Sequence, residues 1–133
     1  MNESSLRIPI DDAEIIGNLA VPSAAFGLVV FAHGSGSGRH SSRNRFVAQE
    51  LNRVNLATLL VDLLTEEEEI SESATGHLRF DIGFLSNRLA AATRAVLNED
   101  LPIGYFGAST GAAAALQASL QFPQAVQAIV SRG

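Results

Sequence analysis

The chain has 133 residues, and its 47% hydrophobic and 17% charged content is typical of one globular domain rather than a disordered segment. The formal net charge of -5, with nine scattered arginines and no lysine, argues against nucleic acid as a partner. No apolar stretch approaches the roughly 18 residues of a membrane-spanning helix, and the N-terminus lacks a signal-peptide pattern. We therefore expect a cytoplasmic protein without membrane contact that acts on a small neutral or esterified molecule.

The absence of cysteine and lysine removes several kinds of chemistry. Without cysteine there is no thiol nucleophile, no disulfide and no thiolate metal site. Without lysine there is no Schiff base, no Ser–Lys dyad and no Walker A motif. The three histidines show no spacing typical of a metal site, so we expect neither a metal nor another cofactor.

The hydrophobic pattern predicts alternating strands and helices. An Asp11-Asp12 turn predicts an antiparallel hairpin at the start of the chain, and the acidic run at residues 66–69 is predicted to be a solvated loop. The predicted elements are strands at 6–10, 14–21 and 27–32, a helix from 42 to about 55, a strand at 56–64, a helix from about 78 to 98, a strand at 102–106, a helix at 112–120 and a strand at 126–131. This order predicts a single α/β domain over residues 1–133, with a mostly parallel sheet covered by helices on both faces.

The segment Gly107-Ala108-Ser109-Thr110-Gly111 joins an apolar, strand-like run to an alanine-rich helical segment. A serine on such a tight strand-to-helix turn is forced into a strained backbone that exposes its Oγ atom. Gly107 and Gly111 allow strand and helix to approach closely, and the backbone N–H of Thr110 would face a developing oxyanion. Ser109 is therefore the candidate nucleophile.

A second candidate site segment is His33-Gly34-Ser35-Gly36, at the predicted end of a buried strand. Open α/β sheets bind ligands at the carboxyl ends of their strands, so this loop could bring the N–H of Ser35 or Gly34 beside the nucleophile. Phosphate binding is the alternative explanation for these glycines, but Arg39 stands where the dinucleotide fingerprint has its third glycine. The pattern favours an oxyanion loop.

The histidines are the only side chains that could serve as the base. A histidine directly before glycine at a strand end, as at His33, is more typical of a structural hydrogen-bonding residue. His40 is predicted to border the pocket, and His77 is predicted to cap or flank a helix. Asp62, at the end of a predicted strand, could face the cleft, although a structural role is more typical there.

Together these residues resemble the N-terminal part of an α/β-hydrolase of the dienelactone hydrolase-like group. The similarity extends over essentially the whole chain, and its carriers are the segments at residues 29–37, 39–45, 59–65, 79–82, 104–114 and 130–133. The resemblance implies that Ser109 is the nucleophile and that Thr110 and the Ser35 loop form the oxyanion hole. The name-giving dienelactone hydrolases use a cysteine nucleophile, so Ser109 departs from them and their substrate is not carried over.

The resemblance also implies a longer chain. In this family the acid and the histidine of the triad follow the nucleophile, on loops after further strands. The 22 residues after Gly111 contain no His, Asp or Glu. We therefore expect a hydrolase domain that is truncated before its acid and its histidine.

Two functions remain open from the sequence. The first is a serine hydrolase for an ester or lactone, or the N-terminal half of one with little activity alone. The second is a non-catalytic module that oligomerises or binds a small ligand in the old pocket. In either case we expect a homodimer through the strand that begins at Val126 and ends at Ser131, or through the adjacent face, because this uncharged strand is left at the sheet edge.

Overall fold

A computed structural model describes residues 1–34, 37–76 and 78–133. Six strands form one sheet in the order β1-β2-β4-β3-β5-β6. The strands are β1 (Asn2–Ile10), β2 (Ala13–Val21), β3 (Gly27–Ala32), β4 (Leu56–Val61), β5 (Ile103–Ala108) and β6 (Val126–Arg132), and the α-helices are α1 (Ser42–Arg53), α2 (Glu66–Thr75), α3 (Ile82–Val96) and α4 (Thr110–Ser119). The predicted α/β class with an N-terminal antiparallel hairpin is confirmed.

The strand pairing places the carboxyl ends of the parallel strands β3 and β5 side by side. β2 pairs antiparallel with both β1 and β4, whereas β3, β4, β5 and β6 run parallel. The chain passes from β3 to β4 on one side and later returns to β5 on the other side of β3. This reversal of strand order is where open α/β sheets bind ligands, outside the carboxyl ends of the strands.

Alternate side chains of the central strands pack into two separate cores. Leu28, Val30 and Ala32 belong to the larger core, which α3 and α4 cover, while Phe31 packs with α1 in the smaller one. Because successive side chains of a strand point to opposite faces, helices cover both faces of the sheet. None of the described helices is both long enough and apolar enough to cross a membrane.

The acidic run at residues 66–69, which the charge pattern predicts to be a loop, forms the first turn of α2. Thr65 caps this helix, its Oγ1 accepting the N–H of Glu68 while the Glu68 carboxylate accepts the N–H of Thr65. This reciprocal pair is a capping box, and four glutamates in the first turn complement the positive end of the helix dipole. Gly76 ends the helix with a left-handed φ of 71°. The prediction of a solvated loop was therefore wrong.

Glu68 also ties α2 to α3. Its two carboxylate oxygens accept hydrogen bonds from the Arg88 guanidinium at 2.6 and 2.7 Å. Partial burial by itself raises the pKa of Glu68. The hydrogen bonds from Arg88 and Thr65, together with the Arg88 charge, lower the pKa by more than burial raises it, so the pKa lies below the usual 4.5. The ionised carboxylate therefore stabilises the fold at neutral pH, and this contribution is lost as the pH falls through the lowered pKa.

We expect Glu68→Gln to reduce the free energy of unfolding by about 1–2 kcal/mol at pH 7, because it removes a charged acceptor from Arg88. The difference from wild type should shrink as the pH falls below 4.5, where the unfolded carboxyl is protonated. Glu67→Gln, an exposed neighbour in the same turn, removes the same charge and should cost less than about 0.5 kcal/mol. Urea unfolding from pH 3 to pH 7 measures both, and equal effects of the two variants would contradict this role of Glu68.

Candidate functional site: the turn at Ser109

Ser109 occupies the turn between β5 and α4 with φ 57° and ψ -126°, a conformation that is rare for any residue other than glycine. The prediction of an outlying backbone at this serine is confirmed. The turn is fixed by two backbone hydrogen bonds, from the N–H of Ser109 to Arg132 O at 3.4 Å and from the N–H of Ala112 to Ser109 O at 3.0 Å. The side chain of Ser109 is exposed, as a nucleophile on such a turn requires.

Two glycines let α4 start directly against the sheet. A Cβ atom at Gly107 would lie 2.7 Å from the Cα of Ala112. One at Gly111 would overlap the carbonyl oxygen of Ala32 and lie 2.7 Å from that of His33. Because all these neighbours are backbone atoms, no side-chain movement would make room. The N-terminus of α4 therefore packs on the end of β3, and the roles predicted for both glycines agree with this geometry.

The loop that follows β3 contacts the Ser109 turn. A Cβ atom at Gly34 would lie 2.9 Å from the Cβ of Ser109 and 3.0 Å from Ala108 O. The backbone of Gly34 thus passes against the candidate nucleophile, where the sequence places the oxyanion loop. Ser35 and Gly36, the other residues predicted for this loop, lie outside the described residues.

His33 is buried, with only 5% of its surface exposed, and both of its ring nitrogens are engaged. The backbone N–H of Leu63 donates to Nε2 at 2.9 Å, and Nδ1 lies 2.9 Å from the carbonyl oxygen of Gly34. A backbone N–H can only donate, so Nε2 must be unprotonated and the proton must lie on Nδ1, which donates to Gly34. His33 therefore joins the loop after β3 to the segment after β4, and neither nitrogen is free to act as a base.

The other sequence candidates lie around neighbouring space. His40 lines an adjoining space of about 550 Å³ together with Asp62 and Glu69, and this space shares Ser37, Ser41 and Ser42 with the pocket beside Ser109. Asp62 accepts the backbone N–H of Arg39 at 2.6 Å and pairs with the Arg39 guanidinium, so it is a structural partner. His77 lies outside the described residues. In the described part of the chain, no cluster of three acidic or histidine side chains could hold a metal ion.

The pocket beside Ser109 has a volume of about 400 Å³ and a polar lining. Asn44, which is 4% exposed, contributes a buried Oδ1 atom without a hydrogen-bond partner among the described residues. The Oγ1 atom of Thr110, a residue that does not line this pocket, is likewise buried without a partner among the described residues. The pocket is lined by Gly34, Ser37, Ser41, Ser42, Arg43, Asn44, Ala108, Ser109 and Arg132. Sequence reasoning missed Arg43, Asn44 and Arg132 as pocket residues, because only the folded sheet brings α1 and the end of β6 to the Ser109 turn.

Thr110 is the first residue of α4, so its backbone N–H has no acceptor within the helix. This N–H stands at the positive end of the helix dipole and follows Ser109 directly. The turn therefore combines an exposed hydroxyl with a backbone donor that has no acceptor among the described residues of the helix, which is the arrangement that acyl-transfer enzymes use to attack a carbonyl carbon and hold the resulting oxyanion.

Comparison with known proteins gives the same fold. No family model matches the chain. The chain is 52% identical to the dienelactone hydrolase of Anabaena variabilis, with a TM-score of 0.93. It belongs to the α/β-hydrolases of the dienelactone hydrolase-like group. The alignment covers 98% of this chain and 62% of that hydrolase. The esterase Est1E from Butyrivibrio proteoclasticus shares the fold, at a TM-score of 0.76, 18% identity and coverage of 94% of this chain and 49% of that protein.

A relative from Mycobacterium tuberculosis carries a different name. It is 45% identical over 137 residues and is provisionally named a phosphoribosyl transferase. The alignment covers all of this chain but only 30% of that protein. This α/β-hydrolase chain thus spans less than two thirds of the length of each of these relatives.

We expect Gly111→Ala to destabilise the protein by about 3 kcal/mol or more, because the new methyl group would displace the end of β3. Gly83→Ala, in α3, is the matched control. Apart from the helix's own backbone, the nearest described neighbour of a Cβ atom at Gly83 is Asp81 Oδ1 at 3.7 Å, so the methyl group fits, and alanine favours a helix over glycine by up to about 1 kcal/mol. Urea unfolding of both variants measures the difference. A mild effect of Gly111→Ala would show that α4 does not pack on β3 as described.

Proposed function

We propose that the chain carries the nucleophilic half of a serine hydrolase that acts on a carboxylic ester or lactone. The observation that supports this best is the strained backbone of Ser109, which lies at the carboxyl ends of the parallel strands β3 and β5. A strained turn persists only where the surrounding structure enforces it, and such turns cluster at functional sites. The similarity to a dienelactone hydrolase and to esterases adds an independent reason.

In the proposed reaction, Ser109 Oγ attacks the carbonyl carbon while a base accepts its proton. The negative charge that develops on the carbonyl oxygen is stabilised by the N–H of Thr110, with a second donor proposed from the Gly34-Ser35 loop. The tetrahedral intermediate then expels the alcohol oxygen, which takes up the proton, and leaves an acyl group on Ser109. Water, activated by the same base, hydrolyses this acyl-enzyme.

The base is the component that the described residues do not supply to Ser109. Both nitrogens of His33 are engaged, and His40 lines the neighbouring pocket. We propose that complete activity needs a histidine and an acid from polypeptide equivalent to the remainder of the dienelactone hydrolase, in the order that the family resemblance implies. The isolated 133-residue chain should then react slowly.

The transferase name of the mycobacterial relative is not extended to this chain. The aligned segment is only 30% of that protein, whereas this chain is 52% identical to a dienelactone hydrolase of which it covers 62%. The strained serine and its adjacent helix N-terminus favour acyl transfer.

We expect a fluorophosphonate probe in large excess to form a single adduct on Ser109 during long incubation, detected by intact mass spectrometry and peptide mapping; the reaction should be slow because the described residues supply no base. Ser109→Ala should abolish the adduct, whereas Ser42→Ala, in the same pocket, should retain it. Turnover of a p-nitrophenyl ester by the chain alone should be on the order of 10³-fold or more below that of a complete triad enzyme. Labelling that persists in Ser109→Ala would overturn the assignment of the nucleophile.

We also propose that a second copy of the chain pairs with β6. Among the described residues, β5 is the only strand that pairs with β6, and Val130 in β6 is 54% exposed. Strand β1, at the opposite edge, carries Arg7 and Pro9, which protect an edge from further pairing, whereas residues 126–131 contain neither charge nor proline. An unprotected edge can pair with its own copy about a two-fold axis.

We therefore expect light scattering at micromolar concentration to give twice the 14.0 kDa mass of one chain. Val130→Lys places a charge on the edge strand and should shift the protein toward the monomer by tenfold or more in Kd, since about 1.4 kcal/mol corresponds to tenfold. Ser5→Lys, on the opposite edge, is the control and should leave the dimer unchanged. A wild-type monomer at these concentrations would contradict the pairing.

A further inference from the structure

The pocket beside Ser109 is polar on nearly every side. Apart from Gly34 and Ala108, every side chain that lines it carries a hydroxyl, an amide or a guanidinium group. Pockets that bind apolar acyl or alcohol groups are lined mainly by aliphatic and aromatic side chains. An aliphatic ester group would therefore leave these polar groups without partners, at a cost in binding free energy. A hydrophilic group fits this lining better.

The charge of the pocket is positive. Arg43, from the first turn of α1, and Arg132, from the end of β6, line it, and no carboxylate does so among the described residues. Neither of these two arginines forms an ion pair with a described residue, whereas Arg39 and Arg88 are each paired with a carboxylate. Two unpaired guanidinium groups at one pocket, in a chain of net charge -5, favour a carboxylate or phosphate as the ligand.

Asn44 adds an independent requirement. This side chain is 4% exposed and lines the pocket, and its Oδ1 atom has no hydrogen-bond donor within the described residues. A buried acceptor left without a donor costs about 1–3 kcal/mol, so a native site normally provides one. The guanidinium groups can bind an anion, which accepts hydrogen bonds. The Asn44 oxygen is itself an acceptor, so its partner in a ligand would have to donate a hydrogen bond, as a hydroxyl does.

From these features we propose that the part of the substrate that enters this pocket is a hydroxylated anion. Its carboxylate or phosphate lies between Arg43 and Arg132, and one of its hydroxyl groups donates to Asn44 Oδ1. The proposal rests on the proposed function, in that Ser109 acts on the ester or lactone bond next to this group. The substrate class is then an ester or lactone of a hydroxylated acid or of a phosphorylated polyol, rather than a simple aliphatic ester.

Binding can be measured without catalysis. Isothermal titration of the full chain with gluconate, glucose 6-phosphate, glucose and hexanoate separates the two requirements, and the first two ligands distinguish a carboxylate from a phosphate. We expect at least one of these two anions to bind at least tenfold more tightly than both glucose, which lacks the charge, and hexanoate, which lacks the hydroxyls. Equal or tighter binding of hexanoate would overturn the proposal.

Variants assign the contacts. Arg43→Gln and Arg132→Gln should each weaken binding of the preferred anion about tenfold, the effect of losing one charge-assisted hydrogen bond. Arg45→Gln is the matched control, because it removes the same charge from α1 but lies at a different pocket. An equal loss in Arg45→Gln would show that the effect is long-range charge and would overturn the site.

Asn44→Leu, with folding checked by circular dichroism, should reduce the preference for the hydroxylated anion over hexanoate. An unchanged preference in the folded variant would overturn the role of Asn44.

Fluorophosphonate labelling separates this proposal from the proposed function. If Ser109 is labelled but neither anion binds, the substrate class is wrong and the nucleophile stands. If an anion binds through Arg43 and Arg132 but Ser109 is not labelled, the pocket stands and the hydrolase function is wrong. When both hold, the preferred anion should slow labelling of the wild-type chain and have at least fivefold less effect on Arg43→Gln at the same concentration.

Discussion

The contact between Gly111 and the end of β3 is the constraint on which the site depends. The α carbon of this glycine lies so close to the Ala32 carbonyl that a single methyl group would not fit between them. This approach sets where α4 begins, and the beginning of α4 forces Ser109 into its left-handed backbone between strand and helix. The strain is not an isolated property of one residue. It follows from the packing of a helix terminus against a buried strand that cannot move, because β4 and β5 hold it on both sides.

His33 likewise fixes the position of the loop that follows β3, which borders the pocket. Its neutral ring accepts from Leu63 and donates to Gly34, so the end of β3 is tied to the end of β4 as well as to α4. Gly34 then lies in contact with Ser109, with no space for a side chain between them. Three strand ends are thus held by close backbone packing and by one buried imidazole. A histidine in this position serves the site by fixing its geometry, and so it need not take part in proton transfer.

Much of this arrangement could be predicted from the sequence, because it depends on local patterns. The buried strands are continuous apolar runs, and the strand, Gly-x-Ser-x-Gly and helix order is sufficient to predict the strained serine. The helix at Glu66–Thr75 also had a local signal, since Thr65 and Glu68 have the spacing of a capping box, but the charge of the acidic run outweighed it in the prediction. The loop prediction was wrong because an acidic run was expected to be a solvated stretch, whereas the positive end of the helix dipole favours the four glutamates and Arg88 pairs with Glu68.

The lining of the pocket had no such local signal. Arg43 and Asn44 belong to α1 and Arg132 to the end of β6, elements that are far apart in the chain and meet only because β5 lies beside both β3 and β6. Some buried polar groups of the core are satisfied, as where Thr93 and Tyr105 share a hydrogen bond of 2.6 Å. Ser86 Oγ and Arg39 Nε, by contrast, are buried without a partner among the described residues. Asn44, which lines the Ser109 pocket, and Thr110, which follows Ser109 in the chain, also have buried oxygens without partners among the described residues. Of these four unpartnered atoms, the Asn44 oxygen belongs to a residue that lines the pocket beside Ser109, so a ligand bound there could relieve the cost of leaving it without a donor.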